Sequence, residues 1–203
     1  TAIAVFAFVR VLGGTTAGTQ TAGLAFGSHT NPPGFNVSAT CEEYNGTAWT
    51  AGNDMATGVS FEGGSGIQTA AFSAGGRTPS FPSSIEFIEI SSLGNGKNFG
   101  DLTEARESAS NGVASHVRGL FGGGYHPGAG DDEIDYVTMA SEGNAIDFGN
   151  LSAERYSPGG GASSTRGIFG GGHPAVNIIE FVEISTLGNA VDFGDLVQAR
   201  RYP

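Results

Sequence analysis

RGLFGGG at residues 118–124 returns as RGIFGGG at 166–172, about 48 residues further along the chain. IEFIEISSLGN at 85–95 returns in the same way as IDYVTMASEGN at 134–144 and as IEFVEISTLGN at 179–189. Self-similarity at a fixed period of this size indicates one supersecondary unit copied in tandem. A residue that recurs in such a chain is therefore expected to build the unit before it does anything else.

Four units align along one domain that covers residues 1–203. Each unit begins with a Gly-, Ser- and Thr-rich segment, continues with a short apolar run ending in glycine, and reaches β-branched and aromatic residues after a variable loop. A Gly-Asn turn and a closing strand follow in most units. Four short strands per unit of about 50 residues are typical of a β-propeller blade. The units span about 11–56, 57–106, 107–155 and 156–201, and residues 1–10 are expected to form a strand of a preceding or closing blade.

The recurring residues resemble the kelch repeat over nearly the whole chain. The resemblance depends on a glycine doublet, a downstream aromatic residue and a closing arginine. Phenylalanine replaces the family's usual tryptophan in three units, and the first unit has Gly27 without a second glycine. The framework residues are Gly75, Gly76, Gly123, Gly124, Gly171, Gly172, Trp49, Phe99, Phe148, Phe193, Arg106, Arg155 and Arg200.

GNAIDFGNL at 143–151, GNAVDFGDL at 188–196 and EEYNGTAWT at 42–50 are similar to kelch-like repeats in virion proteins of marine bacteriophages, especially cyanophages. The resemblance implies an all-β, kelch-like β-propeller of about four repeats of four antiparallel strands. It also implies a non-enzymatic tail fibre or surface appendage of the virion, assembled as a homo-oligomer. The implied partners are other virion proteins and a host surface glycan or protein.

Composition excludes several classes of function. The net charge is −11 and the chain has no run of Lys or Arg, so it lacks the basic face that nucleic acids and anionic membranes require. Cys41 is the only cysteine, which excludes an intramolecular disulfide and a cysteine-based zinc site. The apolar stretch at 1–9 is too short to span a bilayer. No cofactor is expected.

The candidate ligand site consists of residues that follow the second strand of their units. His29, His126 and His173 share this position and should lie on one rim of a propeller, where Phe35 and Tyr125 could stack on a sugar. Phe81 and Tyr156 belong to the same group of loop aromatics. The alternative, that these are polar loop residues without a ligand, is favoured by the sequence alone. A metal site is disfavoured, because the histidines belong to separate units.

Two charged groups have a structural and a functional interpretation. Asp131, Asp132, Glu133 and Asp135 could offer oxygens to calcium, but they lack EF-hand spacing, and a solvated loop is favoured. The recurring arginines should bond carbonyls or carboxylates, with Asp101, Glu86, Asp135 and Glu180 as candidates.

No GxSxG, HExxH or phosphate loop is present, so an enzyme is disfavoured. A cellular kelch-type scaffold and a carbohydrate-active enzyme are the alternative functions.

Overall fold

The computed structural model of the chain describes residues 15–18, 23–27, 29–30, 36–67, 69–90, 95–110 and 113–203, with only the backbone described at 15–18, 29–30 and 36. The strand expected at 1–10 lies outside the described residues. The described residues form strands and irregular connections without an α-helix, and the prediction of an all-β chain is confirmed. No helix in this part of the chain is long and apolar enough to cross a membrane.

The strands form four antiparallel sheets in chain order. In each sheet the neighbouring strands are successive in the chain, except that a small hairpin, β3 (His29–Thr30) with β4 (Asn36–Val37), leaves the first sheet. The first sheet holds β1 (Thr15–Gly18), β2 (Gly23–Phe26), β5 (Cys41–Tyr44) and β6 (Trp49–Ala51); the second β7 (Gly63–Ile67), β8 (Ala70–Ala74), β9 (Ser84–Glu89) and β10 (Lys97–Asp101); the third β11 (Arg118–His126), β12 (Ala129–Thr138) and β13 (Ile146–Asn150); the fourth β14 (Gly159–Ala162), β15 (Arg166–Gly170), β16 (Val176–Glu183) and β17 (Val191–Arg200).

The third sheet has an irregular segment where the second and fourth sheets have their first strand. Ser110 N donates to Gly122 O at 2.9 Å, and Leu120 N donates to Val113 O at 2.9 Å. An isolated antiparallel bridge joins Ala114 to Gly119. All four sheets therefore follow one plan, as the repeat predicts.

Successive sheets pack face to face. Side chains alternate along a strand, so Leu120 faces the fourth sheet while its neighbour Phe121 faces the second. Each interface is a separate cluster of buried apolar side chains. The central members are Leu24, Phe26, Ala71 and Ile88 between the first and second sheets, Phe72, Ile85, Phe99 and Phe121 between the second and third, and Leu120, Ile134, Phe148 and Phe169 between the third and fourth.

The Gly-Asn turns dock onto the closing strand of the preceding unit. Gly188 N donates to Phe148 O at 2.8 Å, and Asn189 Oδ1 accepts from Asn150 N at 3.1 Å. The turn approaches so closely that a Cβ on Gly149 would lie 2.5 Å from the carbonyl carbon of Gly188. The glycine after the repeated phenylalanine is thus required by packing as well as by its φ of 142°.

A buried carboxylate on the third strand of a sheet holds the preceding unit. Glu86 in β9 accepts from Ala56 N and Thr57 N, both at 2.8 Å. Asp135 in β12 accepts from Thr103 N at 3.1 Å, and Glu180 in β16 accepts from Ser152 N at 3.0 Å. We call these three side chains the clamp carboxylates.

The recurring arginines complete two of these clamps. Arg106 is fully buried and bonds Asp131 and Asp135, each at 3.0 Å, and Glu133 lies 3.5 Å away. Arg155 is also buried and pairs with Glu180. Burial raises the pKa of Asp135, although Arg106 opposes the shift, and burial lowers the pKa of Arg155. In the first unit the matching residue is Val59, which packs in the apolar cluster instead.

The acidic cluster is a correction to the sequence analysis. Asp131 and Asp135 belong to strand β12 and are buried against Arg106, so the expectation of a solvated loop was wrong. The sequence named Asp135 as a candidate partner of a recurring arginine, and the structure shows that the same arginine, Arg106, also binds Asp131. The described residues contain no group of three or more His, Cys, Asp or Glu side chains placed to hold a metal ion.

Gly149→Ala should destabilise the fold more than Gly194→Ala, its counterpart in the fourth unit. The two glycines have nearly the same φ, 142° and 140°, so backbone strain is shared by both variants. Only Gly149 lies against a following turn, and nothing is within 4 Å of a Cβ at Gly194. We expect an additional loss of about 1–3 kcal/mol for Gly149→Ala in denaturant unfolding of dilute protein. Equal losses would contradict the packing of the turn.

Candidate functional site

The units meet at one end of the sheets through paired backbone segments. The residue after the closing arginine of one unit, or after Val59 in the first unit, exchanges two hydrogen bonds with the residue after the glycine doublet of the next. Glu107 N donates to Tyr125 O at 2.9 Å, and Tyr125 N donates to Glu107 O at 2.7 Å. The same exchange joins Tyr156 to His173 and Ser60 to Arg77. We call these three couples the junction pairs.

The residue that follows the first member of each junction pair in the chain has a left-handed backbone. Phe61, Ser108 and Ser157 have φ values of 55°, 57° and 51°, and Tyr202 repeats the position at 50°. Such values are uncommon in residues other than glycine and persist where the surrounding structure holds them. Here Ser108 N donates to Phe61 O at 2.5 Å and Ser157 N donates to Ser108 O at 2.6 Å. These bonds draw successive junctions together at the same end of the molecule.

An open cavity of about 1050 Å³ lies beside the junctions. Its polar wall includes Arg77, Glu107 and Ser108 from the junctions, and Ile168, Ile179 and Leu196 of the fourth sheet supply an apolar part of the lining. Arg77 Nη1 lies 3.4 Å from Glu107 Oε1 in the polar wall. Burial raises the pKa of Glu107, and Arg77 offsets part of that shift.

Aromatic rings follow one another beside this cavity, and three of them, Tyr125, Tyr156 and Tyr202, line it. The ring of Tyr125 is 5.4 Å from that of Tyr156, which stacks on His173 at 4.5 Å. Phe81 extends the series at 6.2 Å from Tyr125, and Tyr202 extends it at 6.3 Å from His173. These five residues are the aromatic row. Most of them are partly exposed, so the row offers ring faces and edges to solvent.

The junction pairs combine a repeated backbone with different side chains. The couples are serine with arginine, glutamate with tyrosine, and tyrosine with histidine, although the glycines and carboxylates around them recur. A repeat that served packing alone would have no need for such variety at one position. Binding residues are characteristically carried in variable segments on a rigid scaffold.

The structure gathers some of the predicted site residues and separates others. Tyr125 and His173 belong to junction pairs. His126 is the next residue of β11 and therefore leaves the strand on the side opposite to Tyr125. Only the backbone of His29 is described, in β3, and Phe35 lies outside the described residues.

Sequence reasoning did not find Arg77, Glu107 or Tyr202. Arg77 occupies the position of Tyr125 and His173 after a glycine doublet, and Glu107 occupies the position of Tyr156 after a closing arginine. Those two positions, read through all units, were the available signal. This signal is weak in the sequence, because the site repeats a backbone position and not a residue type.

Trp49 has a different place from the repeated phenylalanines. It lies opposite Tyr44 across the β5–β6 hairpin, and the two rings are 5.2 Å apart. In the strand register, Gly52 occupies the position that phenylalanine has in the later units. The amide of Gly52 donates to Cys41 O. The first unit therefore has a shorter hairpin than the others.

Comparison with family models and with curated proteins found no match.

Glu107→Gln should change how stability depends on pH. Because the pKa of Glu107 is raised above 4.5 in the folded state, the folded chain binds this proton more tightly than the unfolded chain does. The stability from the protonated carboxyl is therefore present at low pH and is lost as pH rises through the folded pKa. As pH rises above about 4.5, the wild type should lose free energy of unfolding relative to Glu107→Gln. The measurement is chemical denaturation at a series of pH values. If the free energies of unfolding of the two proteins change with pH in parallel across this range, the assignment is contradicted.

Proposed function

We propose that the four sheets are blades of a β-propeller and that the chain is a non-enzymatic adhesion module of a bacteriophage virion, in a tail fibre or surface appendage. The aromatic row and its cavity would bind a host surface glycan. The observation that carries the proposal is the variety of side chains at the junction pairs within a backbone that otherwise repeats.

The sheet arrangement supports the propeller. Each sheet is an antiparallel meander in chain order, and each interface joins a sheet to the next one along the chain. The left-handed residues bring the first strands of successive units towards one end, as blades converge on an axis. Binding loops of such a fold share one rim, which is where the junction pairs lie.

The chemistry of the site supports a neutral polar ligand with apolar faces. Tyr125 and Tyr156 offer rings, while Arg77 and Glu107 offer a donor and an acceptor that fix orientation. A sugar presents C–H faces and hydroxyl groups to the same kinds of partner. The net charge of −11 opposes a polyanionic ligand such as nucleic acid. The virion setting comes from the resemblance of the repeats to those of phage appendage proteins.

Tyr125→Ala and Tyr156→Ala should each weaken binding to host cells or to a glycan array by about tenfold, or about 1.4 kcal/mol. Tyr44→Ala is the matched control, because this tyrosine packs on Trp49 in the first sheet, away from the row. The control should retain binding. Unchanged binding by both row variants, with intact folding, would remove the row from the ligand site.

Immunogold electron microscopy of purified particles, with an antibody against residues 118–172, tests the virion setting separately. Label at tail or fibre tips is the expected result. Particles that carry the gene but take no label would contradict the virion setting. In that case, retained glycan binding would assign the same site to a cellular protein.

A further inference from the structure

One wall of the cavity is the first strand of the fourth sheet, which is almost entirely glycine. β14 has the sequence GGGA, and Gly159, Gly160 and Gly161 line the cavity. It is also an edge strand, because it pairs with β15 on one side only. The backbone groups on its other side, the free edge, make no hydrogen bond to another described residue. Such an edge offers N–H donors and C=O acceptors to a molecule that enters the cavity.

The glycine at position 161 is not required by its backbone or by its neighbours. Gly161 does not have a positive φ, and its register with β15 continues without a bulge. No described atom lies within 4 Å of a Cβ added there. Glycine in a strand lowers stability relative to a residue with a side chain. Where no bulge and no close neighbour explains it, the remaining usual reason is the close approach of a ligand.

The repeat itself accepts a side chain at the place of Gly161. In each unit this place lies opposite the residue that comes three positions before the glycine doublet. Ser65 holds it in the second sheet, opposite Phe72. Val113 holds it in the third, where its carbonyl accepts a hydrogen bond from Leu120 N. The glycine is therefore particular to the unit that forms the cavity wall and is not part of the repeated framework.

A side chain on Gly161 would project into the cavity. Gly161 lies opposite Ile168, and residues directly opposite one another in an antiparallel pair point to the same face. Ile168 lines the cavity together with Ile179. The missing side chain thus keeps the space above β14 open beside this apolar surface.

The cavity also contains a buried polar group that lacks a partner. Glu107 lines the cavity and is only 9% exposed. Its Oε1 lies 3.4 Å from Arg77 Nη1, but its Oε2 has no hydrogen-bond partner among the described residues. Buried polar atoms are normally hydrogen-bonded, so this oxygen calls for a donor. A sugar hydroxyl is such a donor, and this sign of a ligand is independent of the glycine strand.

We propose that the glycan extends from the aromatic row over β14, where an uncharged sugar ring lies on Gly161 and its hydroxyl groups bond the free edge. This inference rests on the proposed function and adds a second contact region to the same site. The strands of the fourth sheet contribute only glycine and aliphatic residues to the cavity, so this region offers no charged partner to a carboxylate or a sulfate. Hydroxyl groups both donate and accept, as the free edge does.

Substitution of Gly161 by the residues of the other units tests the inference. Gly161→Val, the third unit's residue, should weaken binding to an array of neutral oligosaccharides by at least about tenfold, because the valine side chain occupies the space above β14. Gly161→Ser, the second unit's residue, should cause a smaller loss. The melting temperature of Gly161→Val should equal or exceed that of the wild type, because valine suits a strand better than glycine.

Ala162→Val is the matched control. It introduces the same side chain into the same strand, but on the opposite face and outside the cavity lining, so it should bind as the wild type does. Tyr125→Ala on the same array separates this inference from the proposed function. Loss of binding by Tyr125→Ala with full binding by Gly161→Val would overturn the inference alone.

Three further results would also overturn it. Gly161→Val could melt below the wild type, which would mean that the glycine serves the fold. The wild type could bind only acidic oligosaccharides on an array that carries both kinds, which would contradict an uncharged sugar over β14. The wild type could bind no oligosaccharide at all, which would contradict the proposed function together with the inference.

Discussion

The clamp carboxylates are the interaction on which the stacking of the sheets depends. Glu86, Asp135 and Glu180 are buried at the boundary between two units, where each accepts hydrogen bonds from the preceding one. A buried charge is costly unless it is paired and hydrogen-bonded, so a shifted stacking that kept these carboxylates and the two arginines buried without their partners would be unfavourable. Apolar packing draws the sheets together, and the clamps fix how one sheet sits on the next.

A fixed stacking explains how the candidate site tolerates variety. Tyr125 is held through its own backbone by Glu107, and Tyr156 is held in the same way by His173. Because the backbone makes these bonds, the side chains at the junction pairs are free to differ from unit to unit without cost to the fold. Polar and aromatic groups can then be arranged around one cavity by substitution alone, which is what a recognition surface requires.

The sequence predicted the repeat and the all-β class because glycines, β-branched residues and turns recur at a regular spacing. It also named four carboxylates as candidate arginine partners. Asp135 and Glu180 bond arginines, whereas Glu86 accepts from backbone amides and Asp101 accepts from the Ser83 hydroxyl. The sequence could not show that Asp131 is buried, because an arginine distant in sequence reaches it. Glu107 and Arg77 were missed for a related reason. They share only a backbone position with their counterparts, and local composition does not reveal a shared backbone position.

Hydrogen exchange at single amides would test the clamps most directly. Thr103 and Ser152 lie at exposed positions, yet their amides donate to the buried carboxylates Asp135 and Glu180. Our account predicts that these two amides exchange only when the sheets separate, at rates near those of core strands, while Glu104 and Glu154 in the same exposed segments exchange rapidly. Equally fast exchange at all four amides would contradict the account, because the sheets would then be held by apolar packing without the clamps.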